Sequence, residues 1–382
     1  MRHRKPTAVY IHIPFCQHRC YYCDFNTYAL QGQPVDAYLA ALEREMERTV
    51  AETPPELIET IFIGGGTPTV LEPEQLKRLF GAISRCFPDR ADNLEFTMEA
   101  NPGTVDPRKL EVMREGGVNR ISFGVQSFDN RLLQEIGRIH RTDDVYRSVE
   151  EARKAGFDNL SIDLMFGLPR QTLRQVKDSV ARALELNLEH YSLYSLKVEE
   201  NTLFYTLYQK GKLPLPDEEE EAEMYETIID TLSAAGYVHY EVSNFARPGY
   251  ESRHNMQYWM NRCYYGIGAG AHGYVGGVRR ENIRGVRDYI AAAEKGLPVA
   301  EQAVVSEPEA MEDFMMVGLR LLRGVSNEQF EEQFGRRMED VFGEELESLL
   351  SQGLLERTMD GYRLTRRGLF LGNEVFSRFI RV

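Results

Sequence analysis

The chain has 382 residues, 42% hydrophobic and 10% aromatic, which suits one large domain with a smaller one and excludes a disordered chain. With 45 basic against 59 acidic residues the formal charge is −14, so the molecule repels a phosphate backbone and nucleic acid is not expected as a partner. Five cysteines, three of them within residues 16–23, do not form a disulfide framework and predict a reducing cytoplasmic setting, where thiolates stay free to hold metal.

The opening stretch Met1-Arg2-His3-Arg4-Lys5-Pro6 has the charge of a signal-peptide n-region, but His12 and Pro14 interrupt the apolar run behind it. Nowhere does the sequence offer the ~20 apolar residues that span a bilayer, so no integral membrane segment is expected. From Ala8 onward, β-rich runs alternate with amphipathic helical stretches. The runs are Ala8–Ile13, Thr60–Ile63, Leu94–Met98, Arg120–Phe123, Asn159–Leu164 and His190–Leu196. Between them lie Ala37–Val50, Pro73–Arg85, Pro107–Glu115, Asp143–Lys154 and Leu173–Leu186. Asp36, Asp106 and Asp143 sit where helix N-caps belong, and Gly116 and Gly156 where helices stop. This alternation predicts an α/β fold, a parallel sheet with helices outside it, closed as a barrel or open.

The residues that follow the strands carry the stronger signal. The first strand runs into the cysteine loop and the second into Gly64-Gly65-Gly66-Thr67-Pro68. The third ends at Glu99, the fourth at Gln126, the fifth at Asp163 and the sixth near Lys197. Any one of these could be an ordinary cap or turn residue, but together they mark the C-terminal rim of a parallel sheet, where such folds place their active sites.

Further along, Glu218–Glu221 is most simply a solvated helix start, and residues 243–301, rich in glycine, tyrosine and asparagine, read as a linking region laid against the barrel. The C-terminal part is helical again through Phe314–Leu322, Asn327–Phe334 and Met338–Gln352, with a β-hairpin over Leu354–Leu364 around Asp360-Gly361. Three helices and a hairpin suggest a small winged-helix-like α+β domain, for which the net charge favours packing or partner binding over DNA. The expected boundaries are 1–242 for the core, 243–305 for the linking region and 306–382 for the C-terminal domain.

Cys16, Cys20 and Cys23 follow the pattern CxxxCxxC. Four thiolates complete a cubane iron–sulfur cluster, so three leave one iron open to a substrate group. The alternative is a zinc site with His12 or His18 as fourth ligand, although zinc more often takes paired CxxC spacings. Cys86 and Cys263 have no neighbouring partner in sequence and read as buried or incidental.

With Tyr10-Ile11-His12-Ile13-Pro14-Phe15-Cys16 ahead of that motif and the triple glycine after the second strand, the chain resembles the radical S-adenosylmethionine (SAM) superfamily. More narrowly, it resembles the branch holding oxygen-independent coproporphyrinogen III oxidase and the HemW heme chaperones. The resemblance implies a partial (β/α)6 TIM-like radical SAM barrel with a 4Fe–4S cluster on Cys16, Cys20 and Cys23. It also implies that the amino and carboxylate groups of SAM chelate the open iron, and that an electron from the cluster cleaves the sulfonium to a 5′-deoxyadenosyl radical. By position, Gly65, Gly66 and Thr67 would let the backbone approach the methionine moiety. Glu99, Gln126 and Asp163 match the branch's SAM contacts, and Arg138 matches the arginine that suits the SAM carboxylate. Tyr10 and Tyr22 would flank the cluster and adenine, or serve simply as packing aromatics.

Three features depart from the oxidase. Phe25 stands where the oxidase carries a fourth cysteine, the cluster motif begins by residue 16 without the oxidase's long N-terminal extension, and His254-Asn255-Met256-Gln257-Tyr258-Trp259 matches the HNxxYW motif of HemW proteins. Beside the chain's single tryptophan, His254 is the implied heme ligand, with His272 competing. A lone histidine is otherwise a hydrogen-bonded structural residue, and the glycines before His272 otherwise a close-packed turn. The implied function is a heme chaperone that binds heme and passes it to acceptor proteins, with flavodoxin or ferredoxin as candidate electron donor and no coproporphyrinogen oxidase activity. The alternatives are a radical SAM oxidoreductase acting on a porphyrinogen, and a structural or regulatory cluster protein.

Overall fold

The computed structural model describes residues 5–380; the basic stretch Met1–Arg4 lies outside the described residues. Six strands, β1 (Ala8–Ile13), β2 (Ile58–Gly65), β3 (Arg90–Ala100), β4 (Arg120–Gln126), β5 (Asn159–Phe166) and β6 (His190–Ser195), lie side by side in chain order and are all parallel. A helix returns the chain between successive strands, as parallel pairing requires. The six form the open (β/α)6 barrel, since β1 and β6 do not pair with each other.

The stretch 243–305, expected to lie against the barrel as a link, is instead woven into the same sheet. Tyr264–Ile267 pairs in parallel with the outer edge of β1, and His272–Val275, Val278–Asn282 and Val299–Val304 continue from it antiparallel. Asn244–Ala246 pairs antiparallel with β6 and is followed by Val238–Glu241, which completes twelve strands. These short runs are glycine- and tyrosine-rich and bounded by Gly276-Gly277, so they lack the long apolar alternation by which a strand is recognised.

Alternation along β1–β6 separates two faces. Val9, Ile11, Ile61, Ile63, Phe96, Met98, Ile121, Phe123, Leu160 and Ile162 are buried in the main apolar core. The intervening positions, among them His12, Thr60, Glu95, Thr97, Arg120, Ser122, Ser161 and His190, are buried and polar. A barrel interior filled with polar side chains is marked for binding rather than for stability, because each buried polar group needs a partner.

Helix boundaries show which caps act. Asp106 caps the helix Pro107–Glu115 as expected, its side chain accepting from Lys109 N. Asp36 and Asp143 do not act as N-caps: helices begin at Val35 and Thr142, behind Pro34 and Arg141, so both aspartates lie in the first turn. There they still favour the positive end of the helix dipole. The acidic run after Asp217 does open a helix, Glu218–Ala234, with a capping box between Asp217 and Glu220.

The C-terminal domain has the three expected helices, Glu307–Gly318, Asn327–Phe334 and Met338–Ser351, two short ones after the hairpin, Arg366–Phe370 and Gly372–Ser377, and a three-stranded sheet in which Val325–Ser326 joins the hairpin Leu355–Thr358/Gly361–Leu364. This is the winged-helix-like arrangement. Its first helix starts seven residues before the expected Phe314, because Ser306 and Glu309 form a capping box behind Pro308. The domain is pinned to the barrel by Arg366, which reaches Glu226 (3.0 Å) and Asp230 (2.8 Å), and by Arg320 against Glu241 (3.6 Å). No helix among the described residues is long and apolar enough to cross a membrane.

Candidate cluster and cofactor site

The loop after β1 and the C-terminal ends of β2–β5 meet at one open cavity of about 660 Å³, which neither β6 nor Lys197 lines. Cys16, Cys20 and Cys23 line it from the loop after β1, and all three are free, half-buried thiols. The loop is closed at its base by Phe15–Cys16 pairing with Tyr28–Ala29, so its ends are fixed while its middle stands over the rim. Burial pushes the Cys16 thiol up to about 11, against a hydrogen bond from Thr67 Oγ1 (3.5 Å), and raises Cys23 as well. Such thiols are poor free nucleophiles and give up their protons readily only to a metal centre. The three thiols share one cavity wall and lie close enough to feel one another's charge. Each iron of a cubane takes one thiolate, whereas one zinc ion draws its sulfurs in to about 2.3 Å.

The strand ends form the opposite wall. Gly65 has φ +111°, and a Cβ on it would lie 2.5 Å from the His12 ring; one on Gly66 would lie 2.5 Å from Phe15 O and 3.0 Å from Cys16 Sγ. Only glycine lets this turn press against the cysteine loop. Glu99 accepts a hydrogen bond from Gly65 N (3.1 Å), and Asp163 accepts one from Ser122 Oγ (3.2 Å). Burial, then the charge of Asp163, pushes Glu99 up to about 8, and burial raises Asp163 too. Two half-buried carboxylates facing one cavity repel each other, and a bound cation or hydroxyl donors relieve that strain. Gln126 lines the same cavity with φ +67°, at an irregularity in the pairing of β4 and β5.

Arg138 binds the two walls together. It donates to Cys20 Sγ (3.5 Å), to Asn101 Oδ1 (2.6 Å) and to Gly124 O, while its buried Nε has no partner. Asn101 in turn donates to Thr67 Oγ1 (2.8 Å). Neither Asn101 nor Ser122 stands out in the sequence. Their signal is weak, since asparagine before proline after a strand reads as a turn residue.

Tyr22 lines the cavity, but Tyr10 does not. Tyr10 lies deeper, its hydroxyl on His12 Nδ1 (2.9 Å) and its ring stacked on Phe62, which makes it a packing aromatic. His12 has its other nitrogen on Asn26 O (2.9 Å), so neither nitrogen is free for a metal.

His254 lies beneath this rim, its ring stacked on Phe62 and its partner Tyr258 within electrostatic reach of Glu99. It is fully buried on the short helix Arg253–Trp259, with Nδ1 on Thr60 Oγ1 (2.8 Å) and Nε2 on Tyr258 Oη (2.8 Å). Burial, with Arg120 adding to it, pulls it down to about 3, and an iron taken up there would displace one of these two hydroxyls. Glu95 accepts from the backbone of Arg253 (2.9 Å) and His254 (2.9 Å), fixing the helix to β3, and Arg320 lies 4.4 Å over the Trp259 ring. The HNxxYW segment therefore plugs the other end of the barrel and clamps the C-terminal domain. His272 is exposed, 3.9 Å from Glu281.

With this geometry in view, the family model described as the radical SAM superfamily matches residues 10–183, and that described as the HemN C-terminal domain matches residues 305–371. The chain is 51% identical over 374 residues to the heme chaperone HemW of Bacillus subtilis (strain 168), covering 98% of this chain and 99% of the relative. The chain belongs to the HemW family of radical SAM proteins. The HemW of Lactococcus lactis subsp. lactis is 46% identical over 377 residues, covering 99% of this chain and 98% of the relative. Among solved structures, coproporphyrinogen III oxidase (HemN) from Escherichia coli superposes with a TM-score of 0.86 over 98% of this chain and 90% of that one. At 24% identity that likeness shows the fold. HemW membership places Phe25 in context: it lies in the cysteine loop on the cavity wall and is 62% exposed, an apolar side chain where the oxidase has a thiol.

Proposed function

We propose that this protein binds heme and delivers it to acceptor proteins, on a scaffold that holds a 4Fe–4S cluster and SAM. The observation that carries the reading is the 51% identity to a heme chaperone over essentially the whole of both chains. The residues at the rim fit the implied groups. Three thiols face one cavity, the glycine turn is a cradle that any Cβ would fill, and Arg138 Nε is buried without a partner.

Cys16, Cys20 and Cys23 would hold the cluster, which when reduced supplies the electron that splits the sulfonium of SAM. Glu99 and Asp163 would offset the sulfonium charge and receive ribose hydroxyls, in a wall where burial strengthens both interactions. Gly65 and Gly66 present backbone to the methionine end, and the Arg138 guanidinium suits a carboxylate. Gln126 and Thr67 stand on the same cavity for the remaining polar atoms. Free thiols destined for a cluster suit a reducing cytoplasm, and a flavodoxin- or ferredoxin-like donor would supply the electron.

A porphyrinogen oxidase is the rival. Its discriminating test supplies the reconstituted protein with SAM, a reductant and coproporphyrinogen III under anaerobic conditions. The chaperone reading expects no multiple-turnover protoporphyrinogen, and sustained turnover would install the oxidase instead.

A further inference from the structure

Arg120, the first residue of β4, is a cation buried inside the barrel at 2% exposure. Its Nε is buried without a partner, and no ion pair holds its guanidinium among the described residues. The residues beside it do not help. Thr97 on β3 and Asn159 on β5 flank it in register, and each has a buried oxygen of its own, Thr97 Oγ1 and Asn159 Oδ1, that also lacks a partner. A buried charge with nothing to answer it is among the costliest features a fold can carry, so the groups it serves must lie within its field.

Two residues further along the strands, on the same face, stand Ser122 and Glu99, and beyond them on β5 Asp163, all three in the wall of the cofactor cavity. Both carboxylates feel Arg120, which works against the burial that raises them. Neither is touched by a cation among the described residues; Glu99 accepts from Gly65 N and Asp163 from Ser122 Oγ. The other groups around the pair are committed elsewhere. Arg138 adds its field at Asp163 but is bound to Cys20 Sγ, Asn101 and Gly124 O, and the three thiols line the same cavity. Glu95, lower on β3, accepts the N–H groups of Arg253 and His254. Burial and the nearby carboxylates keep the hydroxyls of Tyr10, Tyr194 and Tyr258 protonated, while burial and Arg120 keep His190 and His254 neutral.

We propose that Arg120 is a positioning residue for SAM, acting through Glu99 and Asp163, whose negative charge it supports from inside the barrel. The role rests on the SAM reading of the rim and adds to it a residue that does not line the cavity. Two carboxylates on one wall discourage each other's ionisation, and the sulfonium that favours it arrives only with the ligand. A fixed cation behind the pair offsets part of that repulsion beforehand. Because it touches neither carboxylate, it leaves the lone pairs not used by Gly65 N and Ser122 Oγ for ribose hydroxyls and the sulfonium, which a contact ion pair would occupy.

The test is SAM binding by the cluster-reconstituted full chain, measured anaerobically by equilibrium dialysis across the neutral and alkaline range. The parent's affinity should rise with pH as the pair ionises. In Arg120→Met the midpoint of that rise should move up by about one pH unit, with binding at neutral pH weakened about tenfold and the alkaline plateau close to the parent's. Arg120→Lys, which keeps the charge, should restore most of the shift. A residue that only holds the fold together would lower the affinity evenly at every pH, and a midpoint that stays put in Arg120→Met overturns the proposal. Stability without SAM gives a second readout. At alkaline pH, Arg120→Met should lower the thermal midpoint of the parent but not that of the Glu99→Gln, Asp163→Asn protein, where the guanidinium has no charge left to offset. An equal fall in both backgrounds, or failure to fold in both, makes Arg120 a residue of the fold and also overturns the proposal. A parent protein that takes up no SAM at any pH overturns the SAM reading of the rim and this role with it.

Discussion

At the scale of single residues, the site is a set of side chains whose burial only makes sense in the presence of partners. Replacing Cys16, Cys20 or Cys23 by Ala should remove the about four irons per chain expected of a cubane, while Cys86→Ala, on a residue outside the cavity, should retain them; iron and sulfide analysis checks both. Glu99 gives a pH signature. Its proton affinity is raised by folding from 4.5 to about 8, so its contribution to the ligand-free protein is complete below 4.5 and is lost as pH rises through about 8. The thermal midpoint without SAM should therefore fall across that window, and Glu99→Gln should flatten the fall. SAM affinity should move the opposite way, rising with pH as the carboxylate that a sulfonium prefers is formed. A SAM affinity independent of pH from 6 to 9 would remove Glu99 from the site.

At the scale of elements, the sequence marks the parallel core well because each strand is a β-rich run ending in a chemically conspicuous residue. Cys16, Gly65, Gly66, Glu99, Gln126 and Asp163 do share one cavity, as their positions at successive strand ends require. The strands of 264–304 escaped because their residues alternate weakly and pair mostly antiparallel at an edge, where tertiary context decides. His254 differs in kind: nothing local in the sequence foretells that Thr60 and Tyr258 hold its two nitrogens at a buried site. His254→Ala leaves two hydroxyls unpaired there and should cost roughly 1–3 kcal/mol of stability in a denaturant titration. Gly66→Ala should act at the opposite end of the barrel. Its methyl would meet Phe15 O at 2.5 Å, pushing the cysteine loop outward and lowering SAM-dependent change in the cluster's EPR signal.

At the scale of the whole molecule, the barrel is open for chemistry at one end and locked at the other. The rim end carries the thiols, the carboxylate pair and the exposed Phe25, all on one open cavity. The far end is stoppered by Arg253–Trp259, and the same helix holds the C-terminal domain through Arg320 over Trp259, with Arg366 bridging to Glu226 and Asp230. This layout suits a carrier, because an open end lets cargo leave to another protein, whereas radical chemistry on a substrate needs a closed and water-excluding site. The most direct measurement of that claim is heme transfer: the full chain, carrying its cluster and loaded with one heme, is mixed with an apo heme protein and the acceptor's spectrum is followed after separation. The account predicts that the heme moves to the acceptor without any reaction of its porphyrin. Retention of the heme by this chain at equilibrium with excess acceptor would contradict it.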